Sequence, residues 1–139
     1  MMKTGGLQVL GLRIPPALEV LLREDRWIPP AGDQVFLEIF GERPEDVHFF
    51  DLSELLRCNE LWRELEPFDI FWKPEEGGSL GIDLRRSVLI GVLGTDMPFV
   101  LDYRESDMVP RVLYLASSDG FAWVQVASDV DDLIRRLYG

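Results

Sequence analysis

The stretch Val88-Leu89-Ile90-Gly91-Val92-Leu93-Gly94-Thr95-Asp96-Met97-Pro98-Phe99-Val100-Leu101-Asp102-Tyr103-Arg104 decides the fold. Its first six residues are apolar and rich in β-branched side chains, the composition of a strand buried over most of its surface. Gly94-Thr95-Asp96 breaks the run. Pro98 can open a strand but would disrupt its interior, so it sets the next start. Phe99, Leu101 and Tyr103 then share one face, with Val100 and Asp102 on the other.

Downstream, Arg104 to Val109 is a polar connection ending at Pro110, and Arg111 to Ala116 reads as a third strand. Ser117-Ser118-Asp119-Gly120 carries an Asp-Gly turn signal, and Phe121 to Val126 reads as a fourth strand. Short connections between successive strands imply an antiparallel meander, because parallel pairing needs a long crossover. A final helix follows, with Ser128 as its expected cap and Val130, Leu133, Ile134 and Leu137 as its apolar stripe. Asp129, Asp131 and Asp132 near its start and Arg135 and Arg136 near its end suit the helix dipole.

Upstream, three short helices are expected. Pro15-Pro16 opens the first, with Leu18, Leu21 and Leu22 as its stripe. Gly32-Asp33 caps the second, which carries Phe36, Leu37 and Phe40 and closes at Gly41. Val47 to Phe50 reads as a short strand. Asp51 or Ser53 caps the third helix, whose apolar side takes Leu52, Leu55, Leu56, Trp62 and Leu65 before Pro67 stops it. Phe68 to Trp72 reads as a strand or packed loop, and Lys73 to Ser79 as a loop. The fold class is therefore α+β: one domain over residues 1–139, a twisted antiparallel sheet with N-terminal helices and a C-terminal helix packed on it.

The chain of 139 residues has 25 acidic and 14 basic side chains and a net charge of −11. Acids exceed bases by 8 in residues 1–79 and by 3 in residues 80–139. Phosphate-backbone binding needs clustered Lys and Arg, so direct nucleic-acid binding is not expected. An acidic surface suits solubility or a basic partner. Cys58 is the only cysteine, which rules out an intrachain disulfide and favours the cytoplasm. The start of the chain does not read as a signal peptide, and no apolar run approaches the roughly 18 residues of a membrane span.

No cofactor or metal motif emerges. His48 is the single histidine and lies in an apolar run, the setting of a packed, hydrogen-bonded side chain. Cys58 sits inside a helix, where a buried thiol is the default. Gly77-Gly78 and Leu80-Gly81 lack the Lys-Ser/Thr of a phosphate loop. Asp96, Asp102, Glu105 and Asp107 are near enough in sequence for a carboxylate pair, and a hydrolase using Asp96 and Asp102 is the remote enzymatic reading. Against it, Asp96 suits a turn, and Asp102, which sits beside Arg104, suits pairing with Arg111 or a backbone amide.

The segments Asp83, Val88-Leu89-Ile90-Gly91, Gly94-Thr95-Asp96-Met97-Pro98, Leu101-Asp102-Tyr103-Arg104, Pro110-Arg111-Val112-Leu113-Tyr114, Trp123 and Val126-Ala127 resemble the SUKH superfamily. That superfamily contains fungal cell-wall-assembly regulators and many bacterial immunity proteins. Ile14-Pro15-Pro16-Ala17-Leu18 and Arg26-Trp27 fit the same pattern, whereas residues 41–79 match less clearly. The resemblance implies an α+β fold and a binding protein without catalytic residues or cofactor, in bacteria an immunity protein that neutralises a cognate toxin, often a nuclease. The expected partner is a protein, such as a basic toxin domain, with the chain itself a monomer or weak homodimer. The alternative is a general interaction or regulatory scaffold of the cell-wall-regulator type.

Residues 60–76 satisfy fewer local structural rules than the meander and final helix. Glu60, Glu64, Glu66, Asp69, Glu75 and Glu76 outnumber Arg63 and Lys73 there, with Phe68, Phe71 and Trp72 interleaved. Acids around aromatic anchors suit a surface that steers a basic partner. This segment is the expected binding face, the alternative being that the aromatics are core and the acids solvate the outer face; the loop from Glu105 to Asp107 is the next candidate.

Overall fold

The computed structural model describes residues 6–64, 81–117 and 122–139. Strands β1 (Gln8–Val9) and β2 (Leu12–Arg13) form a small hairpin, followed by helices α1 (Pro16–Arg23) and α2 (Gln34–Phe40). Strand β3 (His48–Phe49) and helix α3 (Leu52–Arg63) come next. A 3₁₀ turn, Leu84–Arg86, leads into β4 (Ser87–Val92), β5 (Pro98–Asp102), β6 (Arg111–Ala116) and β7 (Ala122–Ala127), and α4 (Val130–Tyr138) follows. Strands β3 to β7 make one open antiparallel sheet in sequence order. The expected α+β meander is therefore present, with β3 and β7 at its edges. The β1–β2 hairpin has no counterpart in the sequence reading. It turns on Leu10 and Gly11 at φ of 51° and 87°, and Arg13 O accepts a 2.6 Å hydrogen bond from the Tyr103 hydroxyl.

Both faces of the sheet are buried, which explains the unbroken burial of β5 from Pro98 to Asp102. On one face lie Phe49, Phe99 and Tyr114, covered by α2 through Phe40, whose ring stands 5.1 Å from both Phe99 and Tyr114. Helix α4 packs against both α1 and α2 and contributes Val130, Leu133 and Leu137 to the core. On the other face lie Ser87, Leu89, Val100, Leu113 and Trp123, which share register positions across β4 to β7. Helix α3 covers that face: Trp62 donates to Ser87 Oγ at 2.9 Å and meets Trp123 edge-on at 6.3 Å. Fully burying a large apolar side chain contributes roughly 1.5–3 kcal/mol, and Phe99, Leu101, Leu113 and Leu133 are all at 0 % exposure. The core is thus a filled two-sided sandwich of sheet and helices.

An irregularity in β4 sets the geometry of one edge. The register slips between Leu89 and Gly91, so Ile90 is the extra residue of a bulge opposite β5. Gly91 is required beside it, since a Cβ there would meet the Phe99 ring at 2.7 Å. The Ile90 carbonyl accepts from Phe50 N–H and from the Trp27 indole N–H, both at 3.2 Å.

Two helix ends follow their sequence signals and two caps differ. Gly41 closes α2 in the left-handed conformation at φ 80°. Asp51, rather than Ser53, caps α3 and forms a reciprocal box with Glu54. Asp33 stands at the start of α2 without a capping bond and pairs instead with Arg43 at 3.4 Å. Asp129, not Ser128, caps α4: its carboxylate accepts from Asp132 N–H at 2.8 Å, while the Asp132 carboxylate accepts from Ser128 N–H at 3.1 Å. A third difference is in packing. Leu55, Asn59 and Trp62 form the buried stripe of α3, which turns Leu56 outward at 43 % exposure.

Candidate functional site

Where α1 ends, the chain folds a strap over the edge of the sheet. Asp25 adopts φ 58°, a left-handed conformation that Asp tolerates better than most residues. The reversal places Trp27 inside, stacked 4.4 Å from Phe49 and anchored to the β4 bulge, while Ile28 stays 57 % exposed. Beyond the edge strand β3, Asp51 starts α3. A depression of about 390 Å³ results, floored by Leu22, Trp27 and Phe49 and walled by Asp25, His48, Asp51 and Glu54. A wider depression of about 720 Å³ adjoins it along the outer side of α3, bordered by Asp25, Asp51, Leu56, Arg57 and Glu60. Asp25 and Asp51 line both, so the two form one trough.

Charge in the trough is mostly negative. The Asp51 and Glu54 carboxylates are held by the capping box at 2.9 Å, at the helix end where negative charge is favoured. Glu54 also lies 2.9 Å from His48 Nε2. The His48 side chain is hydrogen-bonded as expected but 54 % exposed, so it is a wall of the trough rather than a core residue. Arg57 is the opposing cation on the rim. Asp25 and Glu60 have no ion-pair partner among the described residues. Elsewhere many acids are matched: Glu19 with Arg23, Asp107 with Arg86, and Asp132 with Arg135.

Of the expected binding residues, Glu60 borders the trough and Glu64 lies exposed at the end of α3. Glu66, Asp69, Trp72, Glu75 and Glu76 lie outside the described residues. Glu105 pairs with Arg111 at 3.3 Å and Asp107 with Arg86 at 2.6 Å, so both acids brace their own loop. That loop holds Met108 and Val109 exposed, their N–H groups bonded to Ser106 Oγ at 3.2 and 3.0 Å. Asp25, Trp27, Ile28, Asp51 and Leu56 were not expected as binding residues. The available signal was an acid just past a helix end; Leu56 gave none, since its spacing from Leu52 places it on the apolar side.

The carboxylates of the enzymatic reading are not brought together. Asp96 occupies a left-handed turn position at φ 59°, and Asp102 stands at the far end of β5, about 17 Å of strand away. The Asp102 side chain is fully buried and accepts from Arg104 Nε at 2.9 Å and Arg111 Nε at 2.8 Å. Burial raises the Cys58 thiol above its ordinary range, which disfavours the thiolate. Among the described residues no His, Cys, Asp and Glu group is arranged to hold a metal ion, and no helix is long and apolar enough to cross a membrane. In comparisons with protein-family models, curated proteins and solved structures, no significant match to this chain was found.

Proposed function

We propose that this chain is a non-catalytic protein-binding domain and that it serves as an immunity protein in the cytoplasm, blocking a basic toxin domain. The observation that carries this reading is the trough: an apolar floor rimmed by Asp25, Asp51, Glu54 and Glu60, beside exposed Ile28 and Leu56. Acids steer a basic partner and exposed apolar side chains supply area to bury on contact. A nuclease toxin fits because its nucleic-acid groove must be basic. The SUKH resemblance of residues 83–127 points the same way. The test is co-expression with a toxin domain encoded beside this gene. Restored growth and a stable complex are expected; unprotected cells and no complex refute the reading.

A second reading, a regulatory scaffold of the cell-wall-regulator type, draws on a different observation. The loop carrying Met108 and Val109 is braced by ion pairs and presents a second apolar patch. Two docking patches suit a scaffold that joins two partners.

A further inference from the structure

We infer that the trough takes an arginine-bearing amphipathic segment of the partner protein, with an apolar side chain seated over Trp27 and Phe49 and a guanidinium at Asp25 and Asp51. This inference rests on the protein-binding reading and specifies the chemistry of the bound segment.

The two depressions differ in character. The smaller one has an apolar floor, and its volume of about 390 Å³ accommodates a large side chain. The larger one is shallow and runs along α3 past Leu56 to Glu60. Asp25 and Asp51 border both, so a segment crossing from one to the other passes these two carboxylates. Planar donors match carboxylates in bidentate fashion, which favours arginine over lysine at that junction. The apolar floor and the acidic rim therefore call for alternating apolar and cationic side chains.

Asp25 adds a separate argument. It lies just past the C-terminal end of α1, where the helix dipole favours a cation and an acid is destabilising. Its backbone is also left-handed, a conformation in which glycine is the least strained residue. Neither a salt bridge nor a side-chain hydrogen bond relieves its carboxylate among the described residues. Asp tolerates this backbone, but its charge at the C-terminal end of α1 has no partner among the described residues, and an incoming cation would complement it.

The walls are preformed. Trp27 is fixed by its bond to Ile90 and its stack on Phe49, and Asp51 is fixed by its capping box. Binding here needs little reordering of the host, which lowers the entropic cost of association.

The experiment is a ¹H–¹⁵N NMR titration of the full chain with three probes: N-acetyl-Leu-Arg-Leu-Arg-amide, its Leu-Glu counterpart and its Gly-Arg counterpart. The first probe is expected to shift the Trp27 indole and the amides of Asp25, Asp51 and Leu56, with the other two much weaker. Asp25→Asn with Glu60→Lys should weaken the first probe about tenfold and leave the amide spectrum of β5 and β6 unchanged. Shifts centred on another surface, equal binding of the three probes, or unaltered affinity in the double variant overturn the inference. The readout does not involve a toxin. If the peptide test fails while co-expression still protects, the bound-segment assignment falls and the immunity reading stands.

Discussion

Asn59 in α3 takes the place of a missing strand beside Leu89 in β4. Strand β3 is only two residues long and pairs with Gly91 and Val92, so Leu89 lies beyond its end. The Tyr103 N–H bond to Arg86 O fixes the alternation of the β4–β5 ladder, which turns the N–H and C=O of Leu89 away from β5. Asn59 Oδ1 accepts from Leu89 N–H at 2.7 Å, and Nδ2 donates to Leu89 O at 2.9 Å and to Leu55 O at 2.8 Å. At 1 % exposure, this amide is buried with its donors and acceptor all used.

Replacing Asn59 by Ala strands two buried backbone groups. The expected loss of stability is about 2–5 kcal/mol, read by urea denaturation. Asn59→Asp should also destabilise, because a carboxylate oxygen would face the Leu89 carbonyl. A loss below about 0.5 kcal/mol in Asn59→Ala would mean that water or repacking replaces the amide.

Asp102 is structural. Asp102→Asn weakens the anchor of Arg104 and Arg111 inside the fold and should cost about 3 kcal/mol, read by chemical denaturation at neutral pH. The change should lower the denaturation midpoint without changing the slope. An unchanged midpoint would remove the buried ion-pair network from the explanation of this end of the sheet.

Glu19 gives a pH dependence with a definite sign. Its carboxylate accepts from Arg23 Nε at 2.8 Å and from Leu7 N–H at 3.0 Å, and the Arg23 bond first, then the Leu7 bond, hold its pKa below the ordinary carboxyl value. A depressed folded-state pKa means that the stabilisation is present above the unfolded value and disappears as pH falls through the folded value. Glu19→Gln should therefore be less stable than the parent at neutral pH, with the gap narrowing as the medium is acidified below the unfolded carboxyl value. A gap that is constant across this range would show that the charge of Glu19 is not what matters.

Legibility in the sequence followed the range of the interaction. Pro98 opens β5, Arg111–Ala116 is β6, and Gly41 and Asp51 mark helix ends, because turn and cap chemistry is local. The α4 cap was one residue off, since Ser128 and Asp129 are both good capping residues and the backbone decides between them. The second buried face of the sheet was harder to read. Leucines are numerous on α3, and it is Asn59, a polar residue, that completes the buried stripe with Leu55 and Trp62. By spacing, Leu56 falls on the apolar side, yet it borders the trough. The trough itself joins Asp25 and Trp27 to Asp51 and Glu60, and no local pattern links a reversal after α1 to the start and outer side of α3. The loop acids Glu105 and Asp107 read as the next candidate for the binding face, but Arg111 and Arg86 pair with them.

The most direct measurement is the association rate between this chain and a basic toxin domain, where one is encoded beside its gene, followed from low to high salt. Acid-steered docking predicts fast association at low salt that slows as salt screens the charges, with Asp25→Asn/Glu60→Lys slower at low salt and converging on the parent at high salt. Equal rates for the two proteins at low salt, or no complex at all, would contradict it.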